Sequence, residues 1–509
     1  MFSTVLSATL HGLCVEFIQV EVDSSNGLPM FHMVGYLSSE VKEAGERVRT
    51  AIRNTGFHLP AKKTVINLSP ADMRKKGTMF DLPIALAILS SLGEFAEENL
   101  KDILVVGELG LDGAVKSVSG VLPIVFAAKE RGCSVCIVPK DNEKEGRLVK
   151  GITVIGVSTL CEACERVLNC NFSVEEEIIE SVEMQHEKID FSDIRGQFLA
   201  KRAVEIAVAG NHGILMVGPP GAGKSMLAKR IPTILPPLSF EESMELSKIY
   251  SIVGKLDLSN PCMSVRPFRE VHQSITKAAL IGGGNIPKPG EISLAHLGVL
   301  FLDEIAEFSK STLELLRQPL QEHTVCIHRE RGSYEFPANF MFVAAMNPCP
   351  CGYYPDRNRC NCTGHSIKNY LSKISHPLLD RIDICVEVEK VKYEQLHNER
   401  TEETSEVIQK RIIRAREKQQ KRYVGQGFST NGEMTSKEIE IYCELGENEK
   451  DMMRKAFDTM NLTARKYYKI LAVARTIADL EDSEIIEEKH LREALSYRML
   501  DEKYWGGAL

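Results

Sequence analysis

Two periodicities of apolar residues predict most of the secondary structure of this chain. Apolar side chains recur every three or four positions from Ser39 to Thr55, which predicts an amphipathic helix. A second and more apolar helix is predicted from Asp81 to Leu92. The stretch from Val5 to Val22 is typical of strands, as are the short apolar runs at 103–106 and 135–138. These elements predict a mixed α/β region at the start of the chain.

The pattern changes further along and divides the chain into four segments. Residues 1–168 form the mixed α/β region, and the acidic, polar stretch 169–189 is predicted to be a linker. Over 190–390, apolar runs alternate with helical stretches, which is typical of a parallel sheet covered by helices. Residues 391–509 have mainly helical periodicity. The predicted fold class is therefore a multidomain α/β protein with a helical C-terminal domain.

Composition and charge narrow the class of protein. The 509 residues are too many for one core, and 43% hydrophobic with 26% charged residues is ordinary for a globular protein. The net charge of −8 means that any contact with nucleic acid needs a local basic patch. The chain start lacks the basic segment of a secretory signal, and no apolar run reaches about 18 residues. We therefore expect a cytoplasmic protein without membrane contact, whose fourteen cysteines are reduced.

The clearest chemical motif lies in the third segment. It fits the phosphate-binding pattern G-x-x-x-x-G-K-[ST] and consists of Gly218, Pro219, Pro220, Gly221, Ala222, Gly223, Lys224 and Ser225. An apolar run at 213–217 precedes it, and good helix formers follow at 226–230. In that context backbone N–H groups surround a phosphate, the lysine contacts the β- and γ-phosphates, and the serine binds Mg²⁺. The motif predicts a nucleotide site with Mg²⁺.

Three further polar residues come directly after apolar runs of strand type. Asp303 and Glu304 follow one run, and Asn347 follows another. Beside a phosphate loop, Asp303 can hold Mg²⁺ through water, and Glu304 can polarise the attacking water. Asn347 can orient that water. Ordinary turn residues are the alternative interpretation of all three.

Basic residues suggest two other roles. Arg381 is placed to neutralise the γ-phosphate of a neighbouring subunit, or to form a salt bridge with Asp380 or Asp383. Arg329 and Arg331 lie at the tip of a predicted β-hairpin and are candidate DNA contacts, with a solvated turn as the alternative. The run 410–422 adds seven cations, which are either a DNA-binding surface or a solvated helix face.

Four cysteines form a compact pattern after Asn347. Cys349, Cys351, Cys360 and Cys362 have the spacing C-x-C-x8-C-x-C. Four thiolates on one short loop can form a tetrahedral Zn²⁺ site, although the two cysteines of each pair are separated by fewer residues than usual. Structural thiols and redox chemistry are the alternatives.

Together these motifs resemble an AAA+ ATPase of the YifB/ComM family, which is magnesium-chelatase-like. The resemblance covers nearly the whole chain, and the stretches that carry it are 266–269, 279–284, 287–304, 344–352 and 378–381. It implies an N-terminal Lon-protease-like domain of ribosomal S5 type, an AAA+ P-loop core with a parallel sheet, and a helical lid domain. Phe80 or Asp81 and Leu122 occupy the positions of the Lon serine and lysine, so the first domain is expected to be non-proteolytic.

The resemblance also implies roles for the site residues. The phosphate loop corresponds to Walker A, Asp303 and Glu304 to Walker B, and Asn347 to sensor 1. Arg381 corresponds to the arginine finger and Arg465 to sensor 2, with Arg475 as the second choice. The hairpin at 324–337 corresponds to the pre-sensor 1 insertion, which faces the central pore in related helicases.

The function implied is an ATP-driven motor on DNA, working as a ring, most often a homo-hexamer. ComM-like members of the family promote branch migration in recombination or natural transformation, on single-stranded or branched DNA. The alternative is a chelatase-type ATPase that remodels a protein client. A scaffold with little hydrolysis is disfavoured by the intact set Asp303, Glu304, Asn347 and Arg381.

Overall fold

The computed structural model describes residues 2–173, 189–284, 287–329, 332–391, 393 and 402–505. Most of the predicted linker, 174–188, lies outside this set. Among the described residues, no helix combines the length and the apolar character needed to cross a membrane.

The first region is built on one mixed sheet. Its strands are β1 (Phe2–His11), β2 (Cys14–Ser25), β3 (Met30–Val34), β4 (Lys63–Ser69), β5 (Ile103–Val105), β6 (Glu108–Leu109), β7 (Val115–Lys116), β8 (Val135–Pro139) and β9 (Thr153–Val157). Its helices are α1 (Ser39–Asn54), α2 (Asp81–Leu92), α3 (Val121–Arg131), α4 (Glu143–Gly146) and α5 (Leu160–Leu168). The main sheet has the order β3-β4-β2-β1-β5-β8-β9, with β1–β2 and β2–β4 antiparallel and the other pairs parallel.

Helix α1 shows how the sequence pattern becomes a packed element. The Ser38 hydroxyl accepts a hydrogen bond from the Val41 N–H and caps the first turn. The apolar positions at spacings of three and four, among them Val48 and Ile52, are fully buried against the sheet. The predicted helices at 39–55 and 81–92 are both confirmed.

The central region contains a second sheet. Its strands are β10 (Ile214–Val217), β11 (Phe268–Val271), β12 (Gly282–Gly283), β13 (Lys288–Pro289), β14 (Val299–Leu302), β15 (Thr324–Arg329), β16 (Gly332–Pro337), β17 (Met341–Met346) and β18 (Ile384–Glu387). Its helices are α6 (Phe198–Gly210), α7 (Lys224–Arg230), α8 (Phe240–Val253), α9 (Lys277–Ile281), α10 (Glu291–Leu294), α11 (Lys310–Glu314), α12 (Pro319–Glu322), α13 (Gly364–Leu371) and α14 (His376–Leu379).

Five of these strands form a parallel sheet in the order β11-β14-β17-β10-β18. The residues of β10, β14 and β17 are all buried, because helices cover both faces of the sheet. All carboxyl ends of these strands therefore lie along one edge, which we call the carboxyl edge, and all amino ends lie along the opposite amino edge.

The last region is helical, as predicted. Its helices are α15 (Ser405–Arg422), α16 (Ser436–Tyr442), α17 (Glu447–Thr459), α18 (Ala464–Leu480), α19 (Glu488–Ser496) and α20 (Met499–Trp505). Helix α18 packs against α6 of the central region and against α15 and α19. The predicted multidomain α/β class with a parallel central sheet and a helical C-terminal region is confirmed, whereas the exact domain boundaries stay predictions.

The first region contacts the central region at two places. The His11 ring in the β1–β2 turn stacks on Tyr334 of β16, with 4.2 Å between ring centroids. On another side, the Gly120 N–H donates to the Ser251 carbonyl, and the Lys248 ammonium lies 3.4 Å from the centre of the Phe126 ring. The hairpin β15–β16 therefore packs against a turn of the N-terminal sheet.

Candidate active site

The phosphate loop connects β10 to α7 at the carboxyl edge. Gly221 and Gly223 have φ values of +72° and +92°, the left-handed region that favours glycine. A Cβ at Gly218 would lie 2.1 Å from the carbonyl oxygen of Val388. These three glycines therefore allow the tight turn and the close packing that the loop needs.

The buried Lys224 side chain crosses the loop. Its Nζ donates to the carbonyl oxygens of Gly218 at 2.7 Å and Pro219 at 3.0 Å, and to Oδ1 of Asn347 at 3.1 Å. Burial lowers the pKa of Lys224, while the nearby carboxylates of Asp303 and Glu304 act in the opposite direction. The ammonium group therefore joins the loop to the end of β17.

Ser225 and Asp303 are brought together from neighbouring elements. The Ser225 hydroxyl donates to Oδ2 of Asp303 at 2.6 Å. The register that pairs Leu302 with Ala344, and Met346 with Val217, brings the ends of β14, β17 and β10 to the same edge. A hydroxyl and a carboxylate this close together could hold Mg²⁺, which prefers oxygen ligands, Ser225 directly and Asp303 through water.

Glu304 directly follows Asp303 and has an unusual backbone. Its φ is +51°, and its N–H donates to Oδ1 of Asp303 at 2.9 Å. A left-handed conformation costs energy in a residue with a side chain, and such conformations are frequent at functional sites. The turn leaves the Glu304 carboxylate exposed beside a cavity of about 380 Å³ that Asp303 also lines.

The cavity includes residues that sequence reasoning missed. Glu270, His272 and Gln273 line it together with Asp303 and Glu304. They lie at and just after the end of β11, which pairs with β14 in parallel. The rule that polar residues at adjacent strand ends converge would have found them, had β11 been recognised as the neighbour of β14.

Arg381 lies at the opposite edge of the sheet. It precedes β18, whose Ile384 pairs with Ile214 at the start of β10. Its guanidinium donates to the carbonyls of Arg317 at 3.0 Å and Pro377 at 2.6 Å, and to Oε1 of Gln321 at 2.7 Å. Burial, followed by the positive charges of Arg465 and Arg317, lowers the pKa of Arg381. The alternative of a salt bridge to Asp380 or Asp383 is not the arrangement found.

Arg465 lies on the side of Arg381 and not at the phosphate loop. It is exposed in the first turn of α18 and is close enough to affect the pKa of Arg381. Arg475, the second choice for sensor 2, is buried and contacts Asp479 and the carbonyls of Ser483 and Glu484. Arg475 therefore stabilises the end of α18 from inside the helical region.

The hairpin is present where the sequence predicts it. Arg329 is exposed at the end of β15, and its guanidinium lies beside Gly283 of the small β12–β13 hairpin. The other candidate DNA contact, Arg331, lies outside the described residues.

Most cations of the basic run 410–422 bind other groups of the same chain. Arg411 pairs with Glu205 and Glu403, Lys418 with Asp482, and Arg422 with Asp479. Arg416 is bonded to the carbonyl of Val208. These contacts attach α15 to the core, so the helix is neither a free DNA-binding surface nor simply a solvated face.

The four cysteines converge. The sulfur atoms of Cys349, Cys351, Cys360 and Cys362 all lie within 4.8 Å of one another. Cys349 and Cys360 are buried and the other two are half-buried. They are the residues in the described part of the chain that are placed to share a soft metal ion.

The two positions that correspond to the Lon dyad hold no nucleophile and base. Phe80, Asp81 and Leu122 are fully buried. Asp81 is bound by the Arg47 guanidinium at 2.9 Å and 3.0 Å. Burial raises the pKa of Asp81, an effect that Arg47 opposes. This pair holds α2 against α1.

Comparison with known families places the whole chain in one group. Residues 190–396 match the family "Magnesium chelatase, subunit ChlI", 20–142 match "Subunit ChlI of Mg-chelatase", and 402–498 match "Magnesium chelatase, subunit ChlI C-terminal".

Two relatives match over nearly their full length, and a third matches over a shorter stretch. The competence protein ComM of Haemophilus influenzae is 40% identical over 503 residues, 97% of both chains. YifB of Escherichia coli is 41% identical over 487 residues, which are 95% of this chain and 94% of YifB. The magnesium-chelatase 67 kDa subunit of Chlorobaculum tepidum is 28% identical over 170 residues, which are 31% of this chain and 23% of that subunit. This chain belongs to the YifB/ComM family of magnesium-chelatase-like AAA+ ATPases.

Proposed function

We propose that the protein hydrolyses ATP at the carboxyl edge of its central sheet and uses the energy to move DNA. One observation carries the ATPase half. Lys224 and Ser225, at the start of α7, are hydrogen-bonded to Asn347 and Asp303, respectively, which directly follow β17 and β14. This is the set of groups that phosphoryl transfer from ATP to water requires.

Each residue has a distinct task in this proposal. The loop N–H groups and Lys224 bind the phosphates of ATP, and Asn347 holds the Lys224 ammonium and orients water. Ser225, with Asp303 through water, would bind Mg²⁺, which when present neutralises charge on the β- and γ-phosphates. The exposed Glu304 carboxylate accepts the proton of the attacking water.

Arg381 is proposed to act on the ATP of a neighbouring subunit. It lies at the amino edge, whereas Lys224 and Asp303 lie at the carboxyl edge, so its own subunit's phosphates are out of reach. A ring in which the amino edge of one subunit faces the carboxyl edge of the next brings Arg381 to the γ-phosphate. We extend the same proposal to Arg465, whose positive charge is near enough to lower the pKa of Arg381. A closed homo-hexamer is the assembly proposed.

The DNA half is supported by the family and by the hairpin. One relative is named a competence protein, and competence is the uptake of DNA. The exposed Arg329 gives the hairpin a cation near its tip, suited to a phosphate backbone. Branched or single-stranded DNA is the proposed substrate, and Arg331 is proposed as a second contact.

ATP hydrolysis with and without DNA tests both halves. Wild-type protein is measured with no DNA, single strands, duplex and a four-way junction, with Lys224→Ala as the control. Stimulation by single strands or the junction that disappears in the control is the expected result. Turnover that depends on Lys224 but ignores every DNA would point to a protein client, and absence of turnover would contradict the ATPase assignment.

A further inference from the structure

The cysteine loop, residues 349–362, lies directly behind the candidate active site. Only Pro348 separates Cys349 from Asn347. Gly352 of the same loop packs closely against the phosphate loop. A Cβ on Gly352 would lie only 2.4 Å from Cδ of Pro220. Gly352 has a φ of +83°, so only glycine fits this position comfortably. The loop therefore touches both the residue that orients water and the loop that binds phosphate.

The sulfur positions match a four-thiolate metal centre. The distances are 3.3 Å from Cys349 to Cys351, 3.8 Å from Cys349 to Cys360, and 3.6 Å from Cys351 to Cys360. A tetrahedral ion with Zn–S bonds of about 2.3 Å places its sulfurs about 3.8 Å apart. A disulfide needs sulfurs about 2.05 Å apart, so no pair here is bonded. The four sulfurs already surround a space of the right size for one ion.

The backbone of the loop supports the same conclusion. The Tyr354 N–H donates to Sγ of Cys349 at 3.4 Å, and the Gly352 N–H donates to the Cys349 carbonyl at 2.9 Å. N–H groups directed at sulfur orient and stabilise metal-bound thiolates. Two cations lie over nearby rings, Lys390 over Tyr353 and Arg357 over Tyr354, and would offset the negative charge of four thiolates with one divalent ion.

The loop is held by turn hydrogen bonds and by packing of its side chains, without regular secondary structure. Residues 347–363 contain no helix or strand. A segment without regular structure that packs against a catalytic edge needs a cross-link, and a structural Zn²⁺ site supplies one at the cost of four thiol protons.

We propose that Cys349, Cys351, Cys360 and Cys362 bind one Zn²⁺, and that this ion holds Asn347 and Pro220 in the positions that ATP turnover requires. The metal is structural, because four protein thiolates leave no open coordination position for water or substrate. The second half of this proposal rests on the ATPase function proposed above, whereas the first half does not.

Metal analysis of the full-length protein tests the site. We expect about one Zn²⁺ per chain, and replacement by Co²⁺ should give the absorption bands of tetrahedral cobalt with thiolate ligands. Cys362→Ser removes a half-buried ligand and should lose both the zinc and the cobalt spectrum. Cys262→Ser, a half-buried cysteine elsewhere in the central region, should retain both. Wild-type protein without bound zinc and without a thiolate–cobalt spectrum would overturn the site.

Turnover of zinc-free protein tests the coupling. Zinc is removed from the wild type with a chelator and then restored, and circular dichroism checks that the helices persist. Misplacement of a positioning residue by about 1 Å costs about 10²-fold in rate, so turnover should fall by that order and return with zinc. The affinity for a fluorescent ATP analogue should change much less, because Lys224 and the loop glycines remain.

The Cys362→Ser variant gives the same comparison in a chain that keeps three of the thiols. Zinc-free protein that is folded and turns over ATP at the wild-type rate would overturn the coupling but not the site. Zinc-loaded wild type that hydrolyses no ATP would instead contradict the proposed function, and the metal content would still decide the site.

Discussion

The two edges of the central sheet differ in how their charged groups are satisfied. At the carboxyl edge, cation, hydroxyl, carboxylate and amide bind one another: Lys224 bonds to Asn347, and Ser225 to Asp303. At the amino edge, Arg381 bonds only to neutral oxygens, and like charges from Arg465 and Arg317 lie close to it. Arg381 therefore has no hydrogen-bonded carboxylate partner among the described residues, although Asp380 and Glu314 partly oppose the lowering of its pKa.

This contrast supports the proposal that the amino edge contacts an anionic partner. Burial and the charges of Arg465 and Arg317 lower the pKa of Arg381, and Asp380 and Glu314 offset only part of this effect, so an approaching anion would stabilise its charged form. The carboxyl edge of another copy, carrying ATP, would supply that anion. This contrast supports the proposal that the active site is shared between two subunits.

The largest effect is expected from Arg381→Ala. If Arg381 completes a neighbour's site, turnover should fall by about 10³-fold or more while nucleotide affinity changes little. Steady-state hydrolysis and binding of a fluorescent nucleotide check this, with Arg492→Ala on the exposed face of α19 as the matched control.

Mixing two inactive variants makes the comparison of edges sharper. Arg381→Ala chains have an intact carboxyl edge, and Lys224→Ala chains have an intact amino edge. Rings containing both should recover activity at the interfaces where two intact edges meet. Mixed rings that form but stay inactive would show that Arg381 does not act between subunits.

The next effect concerns the carboxyl edge alone. Glu304→Gln should bind ATP normally but turn it over about 10² to 10⁴-fold more slowly, because an amide cannot accept the proton of water. Glu307→Gln, at an exposed position three residues later, is the control. A Glu304→Gln variant with the wild-type rate would mean that another group is the base, and the cavity residue Glu270 would be examined next.

A smaller effect is expected where the amino edge is anchored to the helical region. The buried Asp383 accepts from the Gly213 N–H at 3.1 Å and contacts Lys469 at 2.8 Å and His212 at 3.3 Å. Burial alone would raise the pKa of Asp383, but Lys469 and His212 together lower it below its usual range. Asp383→Asn leaves Lys469 without its carboxylate and should cost about 3–5 kcal/mol of stability.

The sign of the pH dependence follows from the lowered pKa. The stabilisation from Asp383 is complete above the unfolded pKa of about 3.9 and is lost as the pH falls towards the folded value. Thermal unfolding of the wild type and of Asp383→Asn should therefore differ most near neutral pH, and the difference should narrow below about pH 4. An equal difference in unfolding midpoint at every pH would contradict this account.

The smallest effect is expected at Arg329, the exposed cation near the tip of the β15–β16 hairpin. Arg329→Ala should lower the slope of log affinity against log salt for DNA by about one phosphate contact, or about 0.9. Arg414→Ala, exposed on α15, should leave the slope unchanged. If the Arg329→Ala variant keeps the wild-type salt dependence, Arg329 of the hairpin does not contact DNA.

The carboxyl edge could be predicted from sequence, because its residues follow strands directly. A phosphate loop, an acidic pair and an asparagine after three apolar runs must converge when the strands are parallel and adjacent. The four cysteines could also be grouped, since few residues separate them. The left-handed turn at Glu304 and the contact of Gly352 with Pro220 could not, because both depend on backbone detail.

The amino edge and the basic helix could not be predicted in the same way. Arg465 reaches Arg381 only because α18 packs over the central region, and no local pattern encodes that packing. The sequence left the cations of α15 as candidates for DNA binding, because their carboxylate partners Glu205 and Asp479 are far away along the chain. Ion pairs between residues far apart in the chain cannot be predicted from local sequence patterns.

The stacking of His11 on Tyr334 has a practical consequence for anyone who shortens this protein. Cutting the chain at the linker would remove the β1–β2 turn and uncover Tyr334, a buried aromatic side chain of β16. Burying an aromatic ring removes a large apolar area from water. A fragment that begins at the ATPase core would therefore expose a new apolar surface beside its proposed DNA contact, and its behaviour would not represent that of the intact protein.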